Sequence, residues 1–176
     1  YMNRIFIDGL AGMALGLFAT LIVGTILEQV GNLLPQDAGA WLIRIAGVCK
    51  AVTGAGIGAG VAYKLKESPL VTFSCVSVGM IGAFASKLIE GTAWEPGVLT
   101  LAGPGEPLGA FIAVVVAIEC GRLVSGRTKV DILVTPICSI LPGAAAGLLL
   151  GPPISRLMTA LGALINWGTQ CQPVLM

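Results

Sequence analysis

Six stretches of about 20 mostly apolar residues follow one another along this chain of 176 residues, and few charges interrupt them. They run from Gly9 to Leu27, Ala38 to Tyr63, Pro69 to Ile89, Pro107 to Ser125 and Ile132 to Leu150, with a last one from Ile154 onward. About 20 residues at 1.5 Å each match the roughly 30 Å of hydrocarbon in a bilayer, and backbone in lipid must close its own hydrogen bonds. The expected fold is therefore all-α, a single transmembrane domain of about six helices over residues 1–176. Only 11% of the residues are Asp, Glu, Lys or Arg, against roughly 25% in soluble domains, so a water-facing surface cannot be built. The formal charge of +1 gives no footprint for nucleic acid.

The connections set an orientation. Arg4, Lys64, Lys66, Arg127 and Lys129 fall on one side if each window crosses once, whereas residues 29–39 carry no Lys or Arg and residues 90–106 carry three Glu and no basic residue. By the excess of positive charge in cytoplasmic loops, the N-terminal flank is expected in the cytoplasm. Lys87 and Arg156 sit near outer ends, where long stems reach the interface.

Small residues mark close helix approach: Gly12 and Gly16 in the first window, and Gly54, Gly56, Gly58 and Gly60 in the second. Pro136, Pro142 and the Gly151-Pro152-Pro153 run break the periodicity of the fifth window, which predicts a broken or re-entrant element around residues 136–153. Five Cys lie in apolar stretches without CxxC spacing, and there is no His. No metal site, disulfide framework, cofactor or catalytic residue is indicated.

Ionisable groups inside a span cost roughly 2.5 to 3.5 kcal/mol at mid-bilayer on insertion scales, so they face a partner or a wet cavity. Lys50 and Glu119 are the deepest, and they could pair with each other or line a solute path. Glu28 and Arg44 could pair near the outer ends of adjacent helices, and Arg122 is placed to reach headgroups. Asn166, Gln170 and Gln172 form the richest amide cluster, donors and acceptors suited to a neutral hydroxylated solute. Candidate substrate-binding residues are thus Glu119, Lys50, Asn166, Gln170 and Gln172. The Gly- and Pro-rich stretches from Ala93 to Gly97 and from Ala102 to Gly109 are either a re-entrant loop or an exposed one.

Three stretches, Met13 to Leu27, Val130 to Pro136 and Ala163 to Pro173, resemble a family of bacterial membrane proteins classed as phosphotransferase-system sugar-transporter subunit IIC, in the second IIC-like group. The resemblance implies a permease in the cytoplasmic membrane that moves a sugar while a IIB-type partner, charged from phosphoenolpyruvate, phosphorylates it. Members are roughly twice as long, so the chain is expected to be part of a larger membrane domain. A homo-oligomer is expected from the abundant small-residue surface. The rival readings are a sensor that holds a lipid or other apolar ligand without transport, and a passive pore.

Overall fold

The computed structural model describes residues 2–95, 98–101, 103–127 and 129–171. The first window becomes one rod: α1 (Met2–Leu17), a π-helical turn (Phe18–Ile22) and α2 (Val23–Leu33) succeed one another without a break. At 1.5 Å per residue this rod is about 48 Å long, more than the hydrocarbon is thick. Leu34 and Pro35 are extended and turn the chain, and α3 (Gln36–Ala51) runs back along α2.

The second window is a bent pair. Val52 ends α3, α4 (Thr53–Lys64) starts at once, and the two axes differ by 51°. The Thr53 hydroxyl donates to the Lys50 carbonyl at 2.6 Å, which caps backbone at the bend. The π turn packs against both α3 and α4, so the irregularities of the two long helices lie side by side.

α5 (Pro69–Ala83) opens with Pro at its first turn, where the missing N–H costs nothing. Phe84 interrupts it, and α6 (Ala85–Ile89) follows. A minimal hairpin, β1 (Trp94–Glu95) antiparallel to β2 (Val98–Leu99), then leads to α7 (Pro107–Val124). α8 (Asp131–Cys171) closes the described chain with 41 residues.

The class is as expected: an all-α polytopic membrane fold. Among the described residues, three helices are long and apolar enough to cross a bilayer, and four if the bent pair counts as one span. Three of the windows differ in extent from expectation. The third is divided at Phe84, leaving α5 with 15 residues. The fifth and sixth are the two halves of α8, which continues through Pro136, Pro142, Pro152 and Pro153. Each of these prolines removes one intrahelical bond, but Gly143 and Gly147 pack closely on α7 and α5, and this packing carries the helix past the gaps. No break therefore falls at residues 136–153; the break among the long helices is at Val52.

α1, α4, α5, α7 and the first half of α8 form a bundle in which α4 meets α1 and α5, and α5 meets α7 and α8. Its centre holds Ile57, Val61, Val78, Val114 and Ile118, all with no exposed surface. The helices touch almost backbone to backbone: Gly12 on Gly60, Gly16 on Gly56, Gly58 on Cys75. A Cβ on Gly54 would lie 2.6 Å from the Gly79 carbonyl oxygen, and one on Gly82 would lie 2.7 Å from that of Gly109. Small residues do this work in lipid, where apolar burial gives no drive for association. Many of the larger apolar side chains point outward, among them Phe18, Phe73 and Leu123.

One end of the bundle gathers Arg4, Glu67 and Arg122: the Arg4 guanidinium donates to the Leu65 carbonyl at 2.9 Å, and the Ser68 and Ser125 hydroxyls lie 2.9 Å apart. At the opposite end the Glu106 N–H donates to the Ala83 carbonyl at 2.7 Å. Beyond Gly151, α8 leaves the bundle, and its residues from Arg156 to Gly168 are exposed.

Candidate functional site

Polar chemistry in this bundle concentrates where α5 stops, α6 begins and α7 starts. Glu106 is the residue before the helical part of α7, with Pro107 preset for its first turn. A carboxylate there meets the positive end of the helix dipole. Gly105 has φ +67°, a left-handed turn that lets the backbone fold back so that the Glu106 N–H reaches Ala83.

These segments enclose a pocket of about 240 Å³, lined by Ala83, Phe84, Ser86, Lys87, Pro104, Gly105 and Glu106. Its size lies below the roughly 300 to 1,000 Å³ of pockets for drug-sized ligands, so it has room for one small solute. The Ser86 hydroxyl lies 3.4 Å from Glu106 Oε1, and the Lys87 ammonium stands 5.5 Å from the Phe84 ring centre. Glu106 Oε2 is buried and, among the described residues, has no hydrogen-bond partner. A buried acceptor left unmade costs about 1 to 3 kcal/mol, which an arriving hydroxyl or amine returns. A carboxylate, a hydroxyl and an ammonium around one small pocket can bind a polyhydroxylated solute through directed hydrogen bonds.

The residues singled out in the sequence fall elsewhere. Lys50 is in the last turn of α3, and its ammonium lies 2.7 Å from Glu28 Oε2. The expected pairings of Lys50 with Glu119 and of Glu28 with Arg44 are replaced by this one. Side chains on a helix lean toward its N-terminus, so on the antiparallel α2 and α3 the Glu28 and Lys50 side chains lean toward each other. Gly24 leaves room for the lysine stem: a Cβ there would meet Lys50 Cγ at 2.8 Å. Arg44 also leans toward the N-terminus of α3, away from Glu28, and its guanidinium lies 5.2 Å from the Trp41 ring centre.

Glu119 lies 3.5 Å from Arg122, which in turn holds Glu67 at 2.7 Å. Arg122 thus ties the α4–α5 connection to α7. The Glu67 side chain is 4% exposed. Its burial pushes the carboxyl above the usual value, against the opposite pull of Arg122. Asn166 is on the exposed half of α8, Gln172 lies outside the described residues, and of Gln170 only the backbone, in α8, lies within them. Lys50, Glu119 and Asn166 therefore occupy three separate parts of the fold.

Glu106, Ser86 and Lys87 were not among the sequence candidates. The available signal was a Glu directly before a Pro that opens an apolar window, inside a Gly- and Pro-rich connection. That pattern places an acid at a helix N-terminus next to irregular backbone, where ligands are held.

Bundle and pocket together define a polytopic helical membrane protein with a small, partly polar pocket at one end. The family described as Phosphotransferase system, EIIC, matches residues 7–176, and the chain belongs to that family. No curated protein and no solved structure matches the chain.

Proposed function

We propose that the chain is the sugar-translocating component of a phosphoenolpyruvate-dependent phosphotransferase system, placed in the bacterial cytoplasmic membrane with its N-terminal flank inside. The observation that carries this reading is the buried Glu106 Oε2, unpartnered among the described residues, in the pocket between α5, α6 and α7. A sugar hydroxyl donates to that oxygen, Ser86 exchanges a second hydrogen bond, and the Lys87 ammonium donates a third.

In the proposed orientation this pocket faces outward, on the side of the acidic connection over residues 90–106. A IIB-type phosphoryl donor docks at the opposite end, where Lys64, Lys66, Arg127 and Lys129 lie in the connections and favour a phosphate-bearing partner. Asn166, Gln170 and Gln172 supply further amide contacts to the solute. Lys50 serves by holding α3 to α2 through Glu28, and Glu119 stands beside Arg122 on α7. Assembly of two or more copies uses the remaining small-residue surface.

The test is uptake of labelled monosaccharides in cells that supply the phosphoryl-transfer partners. Glu106→Gln lowers uptake at least tenfold while the amount of membrane-inserted protein stays the same. Ser86→Ala raises the KM without lowering the inserted amount. Unchanged uptake in both variants removes the pocket from the solute path.

A further inference from the structure

The α2–α3 hairpin stands apart from the bundle. Its helices pack on each other, with Gly31 against Gly39 and Gly24 against the Lys50 stem, and the Lys50–Glu28 pair ties them at 2.7 Å. Outside the hairpin, α2 has its main contacts with the π turn, and α3 with the π turn and α4. α5, α7 and α8 pack on one another and on the remaining bundle helices. Two bodies are thus joined by two chain crossings that lie side by side.

Both crossings are irregular. In the first, the Val23 N–H donates to the Phe18 carbonyl five residues back, so the turn holds one residue too many, and none of Phe18 to Ile22 is buried. In the second, Val52 departs from helical geometry with φ −89° and ψ 15°, and the axes of α3 and α4 diverge by 51°. The Thr53 hydroxyl on the Lys50 carbonyl keeps backbone at the bend satisfied. Two adjacent soft points between rigid bodies make a hinge.

The hinge abuts the Glu106 pocket. Thr53 and Gly54 follow the bend directly and are buried. A Cβ on Gly54 would lie 2.8 Å from the Ala83 Cβ. Ala83 lines the pocket, and its carbonyl holds the Glu106 N–H at 2.7 Å. Glycine against alanine leaves no slack, so a turn of α3 that displaces Gly54 also displaces Ala83 and, through it, Glu106.

We propose that the α2–α3 hairpin is a rigid arm hinged at Val52 and the π turn, and that Gly54 and Ala83 pass its swing to the Glu106 pocket, so that arm position and pocket shape are coupled. The coupling belongs to the fold and holds whatever the pocket binds. Its test therefore reads distances rather than uptake.

The 11 residues of α2 carry the tip of the arm about 16 Å beyond the hinge, so a turn of about 10° moves the tip about 3 Å. Pairs of spin labels are placed on exposed positions of the full chain in lipid nanodiscs, in a Cys-free background. Leu33→Cys with Leu123→Cys spans arm and bundle, Leu33→Cys with Val48→Cys lies within the arm, and Phe73→Cys with Leu123→Cys lies within the bundle. The distance distribution of the spanning pair is at least twice as wide as either internal one. Because coupling is reciprocal, Gly105→Ala, which presses on Ala83, shifts the mean of the spanning pair by about 3 Å or more and leaves both internal pairs unmoved. Equal widths for all three pairs mean a fixed arm and overturn the proposal. A wide spanning distribution that Gly105→Ala leaves in place means an arm uncoupled from the pocket, and a shift of the bundle pair as well means general rearrangement; either result also overturns it. If Gly105→Ala does not insert, Ser86→Leu fills the pocket from its other side, and the same shift is read.

Discussion

Lys50 Nζ stands 2.7 Å from Glu28 Oε2 and closes the α2–α3 hairpin two residues before the bend at Val52. The lysine also sits at the C-terminal end of α3, where the helix dipole favours a cation. The two side chains are 23% and 32% exposed, so removal of either leaves a charge that is largely shielded from water. Lys50→Met or Glu28→Gln alone lowers stability by about 1 to 3 kcal/mol, and exchange of the two residues restores most of it. The thermal midpoint in detergent measures both. Equal stability of all four proteins would show that the pair contributes nothing.

Replacement of Gly58 tests the backbone contacts. The Cys75 carbonyl lies against it, so Gly58→Leu must push α4 from α5, at a cost of about 1 to 3 kcal/mol or more. A Cβ on Gly162, on the exposed half of α8, would meet nothing within 4 Å among the described residues beyond its own helix. Gly162→Leu stays within about 0.5 kcal/mol of the parent or stabilises slightly. Fluorescence-detected size exclusion after heating separates the two outcomes.

Gly105 fixes the pocket from a distance of one residue. Its φ of +67° disfavours any side chain, and a Cβ would approach the Ala83 carbonyl oxygen to 2.7 Å. Gly105→Ala therefore costs about 1 to 3 kcal/mol locally and displaces the Glu106 carboxylate. Uptake falls with a raised KM, while the midpoint of unfolding falls no further than in Gly58→Leu.

Glu67 gives the protein a pH dependence with a definite sign. Burial raises its carboxyl pKa above the reference value of 4.5, so the folded state holds this proton more tightly than the unfolded one. The resulting contribution is complete below pH 4.5 and is lost as pH rises through the folded value. Glu67→Gln flattens that part of the stability profile, measured as thermal midpoint against pH from acid to neutral. A steeper fall in the variant would contradict the assignment.

Single cysteines introduced in a Cys-free background at Lys66, Glu95 and Lys129 test the orientation. An impermeant maleimide added outside intact cells labels the Glu95 variant and spares the other two. Labelling of Lys66 or Lys129 from outside reverses the topology.

Much of this could be read from residue order alone, because hydrophobic length and small-residue spacing are local properties. The apolar windows and the contact glycines Gly12, Gly16, Gly54 and Gly58 follow from that. The partner of Lys50 could not be read, since it depends on which way side chains lean on two antiparallel helices. Nor could the fusion of the last two windows: prolines at 136 and 142 weaken a helix on paper, and only the packing of Gly143 and Gly147 decides that it continues. Glu106 escaped notice because a carboxylate in a loop reads as solvated until the loop is seen to fold onto Ala83.

Carbonyl set against glycine along α4 leaves no compliant layer between that helix and its neighbours. A slip of one residue would drive a side chain into the opposite main chain, so the inner helices can shift only as one block. Any stroke that exposes cargo first to one compartment and then to the other must fall on the flexures beside that block, at Val52 and at the π turn from Phe18 to Ile22.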